Sequence, residues 1–338
     1  MNLIVLEEPD EKWDDFVSAH SRLIFHTSTW RRILRESFRC PTRYLVFEEE
    51  GDWLCGLPGM MAGNRFFRVF YSLIPYGGFI GDRERIPECL RLLNNWAKNE
   101  RIQRIQIVDV RIKNKRDLPD FKCVESYRHV LQLEGKTTDQ IWKGYRGGLK
   151  RNIKAAMKSE LCFERIGSRE EIGQFYKLYL DSMSRNKALA KYPLQLFLKI
   201  YDLLVPTFCD VFFVRYRGQP IAGAVIIYSE DTAHYFHGGS ATDYLHLRPN
   251  DLLFHHAIGI ARERENSYFD FFGSDKRLAS LIRFKEKWGT TREELFNFHK
   301  DFGSVRPFLF KTALSLAQTP LGSALHRGLK SMRKESPE

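Results

Sequence analysis

Two equal spacings constrain this chain more than any other feature. Gly77-Gly78 and Gly238-Gly239 stand 161 residues apart, and so do Asp109 and Asp270. Around them the same elements recur in the same order. The first stretch reads as an amphipathic helix over 30–38, a strand over 43–48, the turn Glu50-Gly51-Asp52, a return strand over 53–61, and a strand over 68–73 that runs into Pro75-Tyr76-Gly77-Gly78. A helix over 86–99 and a strand over 105–110 complete it. The second stretch reads as helices over 170–183 and 194–204, a strand over 211–216, a turn at Gly218 and a return strand over 221–228. A strand over 234–237 before Gly238-Gly239, a helix over 251–265 and a strand over 268–272 follow. The hairpins match too, Gly51-x4-Gly56 against Gly218-x4-Gly223. One offset kept across helix and strand predicts a duplicated domain.

Each half places an antiparallel hairpin before a right-handed β-α-β crossover, an order that suits a mixed sheet with helices on its faces. Val211-Phe212-Phe213-Val214 and Ala224-Val225-Ile226-Ile227 are apolar on both faces, as a covered central sheet requires. At 338 residues and 43% apolar, the chain can bury two such cores. The order of elements resembles that of the GNAT acyltransferase fold. The expected fold class is α/β, an α+β mixed sheet in two tandem GNAT-like acyltransferase domains over 1–140 and 141–302, followed by a basic amphipathic tail over 303–338.

Charge and cysteine usage narrow the partners. A net charge of +11 favours an anionic partner and leaves nucleic acid, phosphorylated substrates and anionic lipid open. The six cysteines stand singly, without a CxxC pair, which argues against structural zinc and a disulfide scaffold. The start, MNLIVLEEPDEKWDDF, lacks the basic opening and long apolar run of a signal peptide. No segment offers the ~20 consecutive apolar residues that span a bilayer. A cytoplasmic enzyme is expected. GxSxG, HExxH, GxxxxGK[ST] and a GxGxxG after a strand are all missing, so hydrolase, zinc-protease, P-loop and dinucleotide-binding chemistries find no support. His255-His256 is no metal pair, because neighbours on a helix diverge.

Five segments carry a more specific likeness. They are Tyr235-Phe236-His237-Gly238-Gly239-Ser240, Pro249-Asn250-Asp251-Leu252-Leu253, Phe271-Phe272-Gly273-Ser274-Asp275, Leu281-Ile282-Arg283-Phe284-Lys285-Glu286-Lys287-Trp288-Gly289, and the basic run 145–155. Over roughly residues 25–300 the chain resembles the FemAB family of peptide-bond-forming transferases, whose best-known members use aminoacyl-tRNA to add amino acids to peptidoglycan precursors. Two departures stand out. There is no long helical hairpin inserted between Ile153 and Met183, as some staphylococcal-type members carry, and the small-residue turn reads Gly-Ser rather than Gly-Arg-Ser.

The resemblance implies site residues, and each has a plainer reading beside it. Leu281, Phe284 and Trp288 make an apolar stripe that ends at Gly289, with Lys285 inside it. Such a cation either snorkels along its stem or meets an anion or reacting carbonyl. The resemblance puts Phe284 and Lys285 in the catalytic cleft, with Lys285 stabilising the charge that develops on the acyl oxygen. Lys150, Lys154 and Lys158 are spaced by four in a run free of acid from Lys143 to Lys158, either a solvated basic face or a seat for phosphates. Arg185 is implied as a substrate-phosphate ligand, or it is a helix-end cation. Tyr235 and His237 alternate on a strand, so both are expected on the face of Gly239, lining the cleft, although His237 also reads as a core histidine. Tyr76, at the matching strand exit of the first half, and Ser274, in the small-residue turn, complete the substrate-binding set.

Donor chemistry is the main fork. An acyl-CoA-dependent GNAT enzyme needs backbone N–H groups from a Gly-rich loop opening the helix after its fourth strand. Here that stretch is Leu247-Arg248-Pro249-Asn250-Asp251, without glycine, with a proline that has no N–H, and with an acid. A tRNA ester, held mainly by basic residues, fits better. The expected function is a FemAB-like transferase forming an amide between an aminoacyl-tRNA and an amine on a lipid- or nucleotide-linked envelope precursor. The alternatives are an acyl-CoA-dependent N-acyltransferase acting on an amino sugar and a non-catalytic anion-binding module. No bound cofactor and no metal are expected; aminoacyl-tRNA or acyl-CoA is co-substrate. The tail, with six basic residues among Phe308, Leu309, Phe310, Leu314, Leu316, Leu321 and Leu325, is expected either to touch anionic lipid at the inner face of the membrane or to pack on the second domain.

Overall fold

The computed structural model describes residues 1–302 apart from 10, 65, 66 and 73; the tail over 303–338 lies outside the described residues. The first repeat runs β1 (Asn2–Leu6), α1 (Glu11–His20), α2 (Ser28–Phe38), β2 (Thr42–Glu49), β3 (Asp52–Asn64), β4 (Phe67–Ser72), β5 (Ile80–Gly81), α3 (Ile86–Asn99), β6 (Arg104–Val108) and β7 (Lys122–Gln132). Two short helices follow, α4 (Thr138–Gly144) and α5 (Leu149–Met157). The second repeat runs β8 (Leu161–Arg165), α6 (Ile172–Arg185), α7 (Leu194–Leu204), β9 (Cys209–Tyr216), β10 (Gln219–Ser229), β11 (Thr232–Ser240), α8 (Pro249–Glu263), β12 (Tyr268–Asp275), α9 (Ala279–Glu286) and β13 (Thr291–Asp301). Every major element of the first repeat has its counterpart in order in the second, so the mixed α/β fold and its duplication stand.

The repeats are joined by an exchange of strands that periodicity does not reveal. The thirteen strands among the described residues form one sheet, ordered β1-β2-β3-β4-β6-β13-β7-β12-β11-β10-β9-β8, with β5 beside β3. The last strand of the second repeat, β13, lies antiparallel to β6 of the first, and the last strand of the first, β7, lies antiparallel to β12 of the second. The two exchanged strands pair with each other from Thr291↔Val130 to His299↔Lys122. Phe296 and Phe298 of β13 are therefore buried in the core under α3, and Leu131 and Leu133 at the end of β7 in the core under α5 and α8.

Local chemistry explains the elements that position the site. Pro at the start of α3 and of α8 supplies the preset φ of a first helical turn. Thr137 caps α4 through a reciprocal capping box with Gln140. Gly239 is glycine because a Cβ there would lie 2.3 Å from the backbone oxygen of Leu178, so α6 packs directly on β11. Between α5 and α6 the chain makes β8 and one short helical turn, with no inserted helical hairpin.

Candidate active site

β11 and β12 are the parallel pair of the second repeat, and they hydrogen-bond only from Thr232↔Tyr268 to His234↔Asp270. Beyond that point they diverge, β11 following β10 and β12 following β7, and the gap is the candidate cleft. A bulge starts the divergence. The register of β12 on β7 slips between Asp270 and Gly273, and Phe272 takes a left-handed conformation, φ 59°. Asp270 Oδ1 holds the kink by accepting the Phe272 N–H at 2.8 Å. Asp109 Oδ1 accepts the Arg111 N–H at 2.9 Å in the first repeat, so the aspartates 161 residues apart perform one backbone task twice.

Asp270 is also the buried joint between the repeats. Its Oδ2 accepts from Tyr76 Oη at 3.1 Å and Arg128 Nε at 2.9 Å, and lies 3.2 Å from His234 Nδ1. Burial alone would raise its pKa, but Arg128 and His234 outweigh that and hold it well below the usual carboxylate range. Tyr76 is thus at the junction between the repeats, 1% exposed and with its hydroxyl engaged. Asp270→Ala is expected to destabilise by ~3–5 kcal/mol, because it removes the buried acceptor shared by Tyr76, His234 and the Phe272 N–H and leaves the half-buried Arg128 with Glu293 alone, and a urea unfolding midpoint checks it.

Lys285 meets carbonyls rather than snorkelling. From α9 its Nζ donates to the carbonyl oxygens of Phe272 at 3.0 Å and Gly273 at 2.9 Å, closing the bulge from the other face. It is 4% exposed, and burial pushes its pKa down to about 8. Ser274, the next residue along β12, is buried with its Oγ unpartnered. Phe284 turns away toward α8, its ring 5.6 Å from Phe254 and under the Lys287 ammonium. The structure brings Ser274 next to the carbonyls held by Lys285, but does not put Phe284 there.

Tyr235 and His237 do not share a face. β11 bulges at Phe236, where Ile226↔Tyr235 is followed by Val225↔His237, and the extra residue reverses the alternation. Tyr235 packs on Phe254 and Phe271 on the α8 side, whereas His237 packs on Tyr179 and Tyr192 on the α6 side. Burial pushes the His237 pKa down to about 4, leaving it neutral. Arg185, the last residue of α6, clasps the exit of β11: it donates to Ser240 O and Thr242 Oγ1, both at 2.9 Å, and to Ser182 Oγ at 3.0 Å. Its guanidinium is largely taken up within the protein.

On α5 the three lysines do converge. Lys150, Lys154 and Lys158 line one open hollow with Arg151, and a second hollow lies at the start of the helix, between Arg146 and Arg283. Beside it, in the first turn of α8, the buried Asp251 accepts from Asn152 Nδ2 at 2.9 Å and Lys287 Nζ at 2.5 Å. This carboxylate ties α5, α8 and α9 together where the helix opens. Among the described residues no group of three or more His, Cys, Asp or Glu could hold a metal ion, and no helix is long and apolar enough to cross a membrane.

A family described as an acetyltransferase (GNAT) domain matches residues 143–286. Among solved structures, the crystal structure of FemX superposes with a TM-score of 0.68 at 16% identity, covering 87% of this chain and 96% of that one. The chain has the tandem GNAT fold of FemX, and residues 143–286 match the acetyltransferase (GNAT) domain family. L-PGS from Bacillus licheniformis shares the fold at a TM-score of 0.59 and 13% identity, over 93% of this chain and 97% of that one. A tandem GNAT protein from the clavulanic acid biosynthesis pathway does so at 0.56 and 8%, over 90% and 99%. No curated protein matches by sequence.

Within this tandem GNAT fold, sequence reasoning missed the residues of β7. Arg128 pairs with Asp270, and His129 lies on β7 between the residues that face Asp270 and Gly273. His129 is fully buried with neither ring nitrogen partnered, and burial, then the Lys285 charge, pushes its pKa down to about 4. Neither residue carried a signal, because the strand that presents them was not recognisable.

Proposed function

We propose that this chain transfers an aminoacyl group from tRNA to an amine on a lipid- or nucleotide-linked cell-envelope precursor, working at the cytoplasmic side of the membrane. Its two repeats divide near residue 140. The observation that carries the choice of donor is the first turn of α8. A CoA pyrophosphate needs free backbone N–H groups there, yet Pro249 has none and Asp251 adds a negative charge to that first turn, held by Asn152 and Lys287. An ester on tRNA needs no such seat, and the open basic hollow of Lys150, Lys154 and Lys158 suits its phosphates. Arg185 is left to hold β11. The tandem fold shared with FemX and L-PGS supports the same reading.

In the reaction the amine nitrogen attacks the ester carbonyl, the N–C bond forms, and the C–O bond to the tRNA ribose breaks. The proton lost by the amine ends on the departing ribose oxygen. Two of the three N–H bonds of Lys285 go to Phe272 and Gly273, and the third stabilises the carbonyl oxygen as it becomes negative. The test is parallel binding to charged tRNA and acetyl-CoA at two salt concentrations. Filter retention of tRNA that weakens with salt, with no thermal shift from acetyl-CoA, is expected. A clear shift from acetyl-CoA would overturn the donor and make an amino-sugar N-acyltransferase the better reading.

A further inference from the structure

The two repeats build the same corner from opposite chemistry. Counted from the starts of the equivalent helices α2 and α7, Arg31 occupies the place of Phe197, and His26 the place of Tyr192. Counted from Asp109 and Asp270, Arg111 occupies the place of Phe272. In the second repeat these positions are rings: Tyr192 and Phe197 pack on Phe236, and Phe272 stacks on His234. In the first repeat they are basic: His26 and Arg31 are both 0% exposed, and Arg111 is half-buried at the edge of the corner.

Charge does not balance there. Arg111 is answered by Asp109 at 3.0 Å, but among the described residues no carboxylate pairs with Arg31. Arg31 Nη2 donates to the carbonyl of Phe25, the residue before His26, at 2.6 Å, while its Nε and Nη1 have no partner. His26 Nδ1 lies 2.6 Å from Ser21 Oγ, and its Nε2 makes no well-aligned hydrogen bond, with the Gly77 backbone carbonyl near the ring. Burial pushes the Arg31 pKa down only to about 10, so the guanidinium stays charged at neutral pH. Burial, with Arg111 and Arg31, keeps His26 neutral. A buried cation with most of its donors unmet is unfavourable until an anion joins it.

We propose that His26 and Arg31 form a site for a small anion, a carboxylate or inorganic phosphate, beneath the first turn of α2. Arg31 supplies the charge and two N–H directions, and His26 Nε2–H supplies a third donor. The site takes no part in the transfer chemistry proposed above, although Phe25 joins it to Tyr76, His234 and Phe272, so its test reads stability and not activity.

Thermal unfolding of the full chain is followed at constant ionic strength while chloride is replaced by acetate or by phosphate. The wild-type Tm is expected to rise with the logarithm of one anion's concentration, and the responding anion identifies the ligand. Arg31→Met is expected to abolish the rise, whereas a Lys150→Ala, Lys154→Ala double variant keeps it. Should Arg31→Met fail to fold, His26→Phe, the ring class the second repeat uses there, is expected to weaken the response at least tenfold in anion concentration. A wild-type Tm flat in both anions, or a rise that survives both Arg31→Met and His26→Phe, overturns the proposal.

Discussion

Lys285→Ala is expected to cut transfer at least 100-fold and to lower the unfolding temperature at the same time. The first effect is the loss of one donor to the developing oxyanion, which typically costs 10²–10³ in rate. The second follows from what the ammonium already holds. Without it the carbonyls of Phe272 and Gly273 lose their donor at a left-handed bulge, at ~1–3 kcal/mol for each group left unsatisfied. Lys285→Met separates the contributions: it keeps the stem, so packing is largely preserved, and the remaining destabilisation reports the carbonyls. Undiminished turnover in Lys285→Met would remove Lys285 from the chemistry and leave it a structural clamp.

The pH dependence gives the same residue a distinctive signature. Lys285 titrates near 8 in the folded chain against an ordinary 10.5. Only the protonated form offers N–H to an oxyanion with a full positive charge, so the rate is expected to fall as pH rises through about 8. Stability runs the other way. Between 8 and 10.5 the unfolded chain holds the proton more tightly, so this group's contribution rises with pH, by up to ~1.4 kcal/mol per unit. Activity that falls while Tm gains from the same titration, in wild type but not in Lys285→Met, assigns the effect to this lysine.

What could be read in advance, and what could not, follows from how locally each feature is encoded. The helices α3 and α7 were bounded correctly because apolar positions recur at helical spacing, and the repeated aspartates were informative because each fixes a turn with its own side chain. Register was not legible. One extra residue at Phe236 put Tyr235 and His237 on opposite faces, and nothing in Tyr235-Phe236-His237 marks a bulge. Nor were β7 and β13 legible. KCVESYRHVLQ and TREELFNFHKD carry charges on both faces, because their side chains answer each other and the helices across a joint rather than a uniform core. Arg128 and His129 were lost with β7, and only the three-dimensional pairing restores them to the site.

Those two strands also decide whether the repeats can be parted. A fragment over 1–140 keeps β7 but loses β13, so β6 is left as an open edge and the core under α3 loses Phe296 and Phe298. The complementary fragment over 141–338 loses β7, which lies along β12 beside the cleft, and with it Leu131 and Leu133. Truncating one such Phe to Ala typically costs ~3–5 kcal/mol, against a usual domain stability of about 5–15 kcal/mol. Losing two, together with a whole strand's hydrogen bonds, exceeds what either half has to lose. Each fragment alone is therefore expected to show no cooperative unfolding transition, while the two expressed together co-purify, since β7 and β13 can still pair in trans. A cooperative transition in 1–140 alone would mean that β13 only lies against the first repeat. In the intact chain, Phe298→Ala is expected to lower the single transition of both repeats together, although Phe298 belongs by sequence to the second and by packing to the first.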